Sequence, residues 1–331
     1  MSGGPTGAGP AGSAMRQAAD ALLNARTVVI GSHVDPDGDA IGSTLGLLLV
    51  LRQAGITAVP VLPTTAPLPR TYAFLPGADS YRGVEDLDAP DVFISLDCPA
   101  LRRLAESEPL ARAARTLIMV DHHPDAVAEG DIAIFEPSAA ATGCLVWQLA
   151  DALGVEPGPD AATCLYTALL TDTGRFSYSN TTASTLRTAA DMVDAGAHPN
   201  EVYSAVYENR SAGAQALLAR TLSRTALAND GRVAYSWVTE ADFAVTGALP
   251  AEAENLIDHV RALGGVEVVA LIKTNGGVAR VNLRSKGVAD VSAVARRLGG
   301  GGHRAAAGVT IDGDLASALG VLLPLLPGGG E

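Results

Sequence analysis

Lysine is nearly missing from this chain: it stands only at Lys273 and Lys286, so almost every cation is an arginine. Aromatic residues are also few, with 5 Phe, 2 Trp and 7 Tyr in 331 residues, so the cores must be built mainly from Ala, Leu and Val. The three cysteines, Cys98, Cys144 and Cys164, lie far apart and form no CxxC pair. That argues against a thiolate zinc site and fits a reducing compartment. No apolar run reaches the ~20 residues that cross a bilayer. The run 45–51 is short, and Pro324 and Pro327 interrupt the C-terminal one. The opening MSGGPTGAGPAGSAMRQ has neither the basic nor the apolar region of a signal peptide, and residues 1–13 read as a flexible tail. The expectation is a cytoplasmic protein with no membrane partner.

Negative charge is what the chain has in excess. A formal net charge of −13 argues against binding long duplex nucleic acid. The excess is uneven. Residues 266–310 carry seven cations (Lys273, Arg280, Arg284, Lys286, Arg296, Arg297, Arg304) against Glu267 and Asp290. Ordinary surface charge is the plainer account of that stretch, and local affinity for an anionic ligand is the other.

A chain of 331 residues suits two domains better than one core. Short apolar runs at 27–30, 56–62, 92–96 and 117–120 read as strands, alternating with helical patterns at 40–54, 139–153 and 161–170. Pro60 puts the second strand near a sheet edge. Such alternation means α/β architecture, a parallel sheet with helices on both faces. Helices are expected at 182–194, 200–208 and 212–225, the last two forming a connector. Strands follow at 232–238, 267–274 and 278–283, with a turn at Asn275-Gly276-Gly277 and a glycine-rich segment from Gly299 to Gly302. The sequence thus divides into a first domain at 14–205, a helical connector at 206–228 and a smaller α+β domain at 229–331.

The ionisable residues gather at element ends. His33, Asp35, Asp37 and Asp39 follow the first strand; Asp97 ends the third; Asp121, His122 and His123 end the fourth; Asp172 follows an apolar helix. In an open parallel sheet these ends converge on one crevice. Several carboxylates there cannot all ionise without compensation, and two divalent cations are the simplest compensation. Asp and His donors without Cys suit Mn, Mg, Fe, Co or Zn alike. Two such ions about 3.5–4 Å apart form a clamp for phosphoryl chemistry. Pro36 and Gly38 allow a tight turn between Asp37 and Asp39, and the helix beyond points its N-terminus at the site. A single strand-end Asp is usually a cap, and a lone His usually structural; His198, His259 and Cys98 are read that way, and Asp35 as a cap or a support to the ligands. Phe176 and Tyr178 are candidates for base stacking, with core packing the plainer reading.

HVDPDGDAIGS, SLDCP, Asp121-His122-His123 and TDTG resemble, in order and spacing, the four motifs of the DHH phosphoesterases. NLRSKGVADVSAVARRLGGGGHRAAAG resembles the DHHA1 substrate-binding domain. Together they cover nearly all of the chain after the tail and are similar to bacterial bifunctional nanoRNase (oligoribonuclease)/pAp phosphatases. The resemblance implies two divalent ions, usually manganese. One would be held by His33, Asp37 and Asp97, the other by Asp39, Asp97, His122 and Asp172, with Asp97 bridging. Asp97 and His123 would be catalytic, His123 facing the phosphate. Arg284, Ser285, Gly300, Gly301, Gly302 and His303 would hold another phosphate of the substrate, with the active site in the cleft between the domains. The implied substrates are short oligoribonucleotides cut to mononucleotides, and pAp cut to AMP; the implied assembly includes a homodimer. Cyclic di-AMP or pApA phosphodiesterase activity stands close behind. A pyrophosphatase or exopolyphosphatase, and a non-catalytic nucleotide sensor, are further alternatives.

Overall fold

The structure, a computed structural model, describes residues 10–253, 256–287 and 289–329. It divides into two units, Met1–Glu208 and Asn209–Glu331.

The first unit runs α1 (Pro10–Leu23), β1 (Val28–Ser32), α2 (Gly38–Gln53), β2 (Ala58–Pro60), β3 (Val92–Leu96), α3 (Glu108–Ala113), β4 (Thr116–Asp121), β5 (Ile132–Phe135), α4 (Thr142–Ala152), α5 (Pro159–Asp172), α6 (Ala183–Asp194) and α7 (Pro199–Tyr207). The strands form one sheet in the order β2-β1-β3-β4-β5, with every pairing parallel. Both faces are covered, which is why β1, β3 and β4 read as continuous apolar runs. Alternation sorts their side chains. Val28, Ile30, Ile94, Ile118 and Val120 join the core built with α1, α2, α4 and α5. Val29, Phe93, Leu117 and Met119 pack on the other face with Leu101, Leu104 and Ala111. Pro60 does lie in the edge strand, where its missing N–H breaks no ladder. The helix α1 begins at Pro10, so residues 10–13 are helical and not part of a tail. A proline is tolerated there because the first helical N–H groups have no partner within the helix. Residues 1–9 lie outside the described residues. Sequence reading overlooked β5, a four-residue edge strand that is mostly half-buried.

One packing feature sets the geometry of the site. Gly38, Gly42 and Gly46 recur every fourth residue along one face of α2. A Cβ at Gly42 would fall 2.5 Å from the Cys164 carbonyl oxygen, and one at Gly46 would fall 2.4 Å from the Leu165 side chain. At Gly38 it would fall 2.4 Å from Thr171 Oγ1. The helices α2 and α5 therefore meet at closer range than any larger residue allows, with the start of α2 beside the end of α5.

The second unit runs α8 (Ala212–Ser223), β6 (Ala226–Ala228), β7 (Val233–Thr239), α9 (Glu240–Thr246), α10 (Leu256–Arg261), β8 (Val268–Asn275), β9 (Val278–Ser285), α11 (Val291–Arg297), β10 (Gly301–His303), β11 (Ala306–Asp312) and α12 (Leu315–Leu322). Its sheet has the order β10-β11-β9-β8-β7-β6, with β7 and β8 parallel and the other neighbours antiparallel. The hairpin β8–β9 turns on Gly276 and Gly277 at φ 55° and 83°, the left-handed pair of a type I′ turn. Segment 206–228 is not a free-standing connector. Leu217 and Leu218 of α8 share a core with Ala234, Val238, Val269 and Leu271, so this helix packs within the second unit.

Asp242 ties that unit together. Its carboxylate caps α9 by accepting from the Thr239 N–H and hydroxyl, both at 2.9 Å. It also accepts from Arg220 Nε at 2.9 Å and from both terminal nitrogens of Arg224. Burial opposes ionisation, but these donors hold its pKa well below the usual carboxylate range. A depressed carboxylate pKa stabilises the fold above the unfolded value of about 4, and the gain is lost as pH falls towards the folded value. Thermal unfolding below pH 4 should therefore show a stability loss that Asp242→Asn lacks. Gly42→Val should destabilise the first unit by about 1–3 kcal/mol through overpacking, read as a lower melting temperature.

Candidate metal centre

The side chains named from sequence in the first unit converge at the C-terminal ends of β1, β3 and β4. His33 follows Ser32 of β1 by one residue, Asp97 follows Leu96 of β3, Asp121 ends β4, and Asp172 ends α5. His33, Asp39, Asp97, Asp121 and His122 are buried, while Asp37 is exposed. Asp97 adopts φ 53°, a left-handed conformation unusual for a non-glycine residue and a recognised mark of functional sites.

Two donor sets result. His33, Asp37 and Asp97 offer ligand atoms within 4.8 Å of one another, and so do Asp39, His122 and Asp172. Metal–ligand bonds of about 2.0–2.2 Å put the donors of one ion about 3–4.4 Å apart, so each set is the right size. Asp97 joins them. Its Oδ2 lies 3.4 Å from His33 Nε2, and its Oδ1 lies 3.6 Å from His122 Nε2. His122 Nε2 also stands 3.5 Å from Asp39 Oδ2 and 3.6 Å from Asp172 Oδ2.

The ring orientations fit cation binding. His33 Nδ1 donates to the Val34 carbonyl at 2.8 Å, and His122 Nδ1 donates to the Ala139 carbonyl at 3.1 Å. Both rings thus turn Nε2 towards carboxylates. A neutral ring would aim a lone pair at an oxyanion, which is repulsive unless a proton or a cation lies between them. The electrostatics express that demand. Burial pushes up the pKa of Asp39, and the charge of Asp97 pushes it further. Burial followed by carboxylate neighbours takes Asp172 to about 7, although His122 opposes the rise. Burial lowers His122, but Asp172, Asp39 and Asp97 outweigh it and raise its pKa to about 9. Such a set, without sulfur, suits divalent cations.

Asp39 is held by α4. Thr142 N–H donates to its Oδ2 at 2.6 Å, and Gly143 N–H and the Ser43 hydroxyl donate to its Oδ1 at 3.0 and 2.9 Å. Asp37 caps α2, accepting from the N–H groups of Asp39 and Ala40 at 3.0 and 3.2 Å. His123 Nδ1 lies 2.7 Å from Asp121 Oδ1, which leaves its Nε2 turned from that carboxylate. Burial lowers His123, but the Asp121 hydrogen bond and the Asp97 charge raise its pKa to about 9. Sequence reading missed Thr142, Gly143 and Ser43, as well as Arg103, whose Nη2 comes within 3.4 Å of His33 Nδ1. The available signal was α4 itself, a helix that begins after Ala141 without a capping side chain.

Other candidates fall elsewhere. Cys98 is buried and donates to the Ala100 carbonyl. His198 precedes α7, and His259 pairs with Arg210 in the second unit. Phe176 packs on Tyr166 with ring centroids 6.1 Å apart, and the Tyr178 ring lies over Gly174, so both side chains are engaged in packing.

In the second unit, His303 of β10 pairs with Ala306 of β11, and Ala306 pairs with Arg284 of β9. Directly paired residues share a face. His303 and Arg284 therefore flank the small Ala306 on one face, opposite Leu283 and the core. Arg284 Nε is buried and makes no hydrogen bond among the described residues. Ser285, at the end of β9, is buried and accepts from Gly287 N–H. The glycine segment enters the edge strand β10. Gly301 and Gly302 pair in β10, and Gly300 N–H donates to the Ala295 carbonyl at 2.8 Å. The Gly300 backbone lies so close to β11 that a Cβ would fall 2.1 Å from the Gly308 carbonyl oxygen.

These features define a class. The sequence matches the DHH family, N-terminal domain, over residues 27–169, and the DHHA1 domain over residues 230–323. The chain belongs to the DHH family. It is 35% identical over 294 residues to the bifunctional oligoribonuclease and PAP phosphatase NrnA of Thermus thermophilus, covering 86% of this chain and 84% of that protein. It is 26% identical over 303 residues to the cyclic-di-AMP phosphodiesterase GdpP of Geobacillus thermodenitrificans, covering 83% of this chain and 43% of that protein. The solved structure of an exopolyphosphatase-related protein from Bacteroides fragilis superposes with a TM-score of 0.86 at 25% identity, covering 93% of this chain and 94% of that one.

Proposed function

We propose that the chain is a two-metal phosphoesterase that hydrolyses short oligoribonucleotides to mononucleotides and pAp to AMP. The observation that carries this reading is the pair of donor sets joined through Asp97, one carboxylate oxygen turned to each. The Thermus relative, named for both activities and similar over most of both chains, supports the substrate class. In this reading His33, Asp37 and Asp97 hold one divalent cation, and Asp39, Asp97, His122 and Asp172 hold the other. Manganese is the ion we assign, on the family resemblance, since the donor types alone suit Mn, Mg, Fe, Co and Zn alike. When bound, the cations activate water and neutralise charge on the phosphate. His123 orients the phosphate or protonates the leaving oxygen, with Asp121 fixing its ring. Arg284 and His303 grip a phosphate on the second unit, Arg284 with an unspent guanidinium N–H.

The similarity to GdpP supports a second reading, phosphodiesterase action on cyclic di-AMP. Side-by-side assays of pAp, a short oligoribonucleotide, pApA and cyclic di-AMP decide between them; a clear preference for cyclic di-AMP would displace the first. Asp97→Asn should abolish turnover even at saturating metal, and wild-type turnover would sink the mechanism. Arg284→Ala removes a charge-assisted contact of about 1.5–3 kcal/mol and should raise KM roughly 10–150-fold. A pure kcat effect would count against its role.

A further inference from the structure

We infer that Thr142, at the first position of α4, is a positioning residue that sets the spacing of Asp39 and Asp97, two of the three carboxylates facing His122. The inference rests on the two-metal reading but concerns a residue outside every motif that suggested it.

Thr142 touches both carboxylates with different groups. Its backbone N–H donates to Asp39 Oδ2 at 2.6 Å, and its hydroxyl donates to Asp97 Oδ1 at 3.1 Å. These oxygens stand 3.5 and 3.6 Å from His122 Nε2, beside Asp172 Oδ2 at 3.6 Å. One residue therefore fixes the separation of two donors that arrive on α2 and after β3. Thr142 is itself fixed. It is fully buried, and its β-branched side chain has few rotamers. Gly143, next along, lies so close to α5 that a Cβ would fall 2.7 Å from the Ala168 Cβ. The start of α4 thus cannot shift without moving α5, which carries Asp172.

The plainer account, a helix-start hydroxyl taking the nearest acceptor, does not explain the pattern. Such hydroxyls ordinarily bond within their own helix or turn. This one reaches a carboxylate 45 positions away in the chain. The two bonds also occupy lone pairs on Asp39 and Asp97, leaving fewer directions in which each carboxylate can bind a cation. Hydrogen bonds that orient metal ligands are commonly worth 10–100-fold in metal affinity or activity.

The test compares Thr142→Val, which keeps the shape and the backbone N–H but loses the hydroxyl, with Thr142→Ser, which keeps the hydroxyl. Mn2+ affinity is measured calorimetrically on the full-length chain, alongside kcat, KM and the melting temperature. Thr142→Val is expected to bind Mn2+ about 10-fold more weakly and to lose kcat with KM unchanged, and Thr142→Ser to restore affinity to within about twofold of wild type. Wild-type Mn2+ affinity in Thr142→Val overturns the inference. So does an equal affinity loss in Thr142→Ser, which would make the contribution one of packing. If the wild type binds Mn2+ but hydrolyses no phosphoester, the proposed function falls and Thr142 is judged on affinity alone. If the wild type binds no Mn2+, both readings fall.

Discussion

Mutual repulsion among Asp37, Asp39, Asp97, Asp121 and Asp172 is the constraint around which the first unit is built. Parallel strands bring their ends together, and here those ends and the adjoining helix termini carry acids. The chain answers part of that charge itself. The helix α2 begins on Asp37, and α4 begins on Asp39, so two positive helix ends each meet a carboxylate. His33, His123 and His122 surround Asp97 and, against the cost of its burial, hold its pKa far below the usual carboxylate range. Asp39 and Asp172 stay under-compensated, both pushed up by burial and by acidic neighbours, Asp172 to about 7. What remains of the negative charge is the demand that divalent cations meet.

That demand was legible in the sequence because strand-end position and residue type are local properties. The parallel sheet, the edge placement of Pro60 and the Gly276-Gly277 hairpin were legible for the same reason. Thr142 was not. Its role depends on a hydroxyl reaching Asp97 across 45 positions and a backbone N–H reaching Asp39 across 103. No periodicity or motif encodes such reach, and the helix pattern from sequence began early enough to hide the residue inside it. The same limit applied to α8, which reads from sequence as part of a connector and packs instead on the second sheet.

In the second unit the glycine segment is part of the sheet edge. The sequence marks Gly299–Gly302 only as a glycine-rich segment. Its glycines answer to close packing, for Gly300 lies against the Gly308 backbone and Gly302 takes φ 130°. The strand they form at the sheet edge puts His303 and Arg284 on either side of Ala306. The glycines matter to the candidate phosphate site through the register they permit.

The seam between α2 and α5 bears on how natural variation in this family should be read. The distance between Asp39 and Asp172 is set where Gly42 and Gly46 touch α5, one and two helical turns from Asp39. An inherited change at Gly46 would leave all four motifs intact while spreading the site, and one at Gly42 would leave every acid and histidine in place. A chain that keeps all four motifs is therefore not thereby an active one, and the glycine spacing belongs beside the acids and histidines when genes are sorted into working and silent copies.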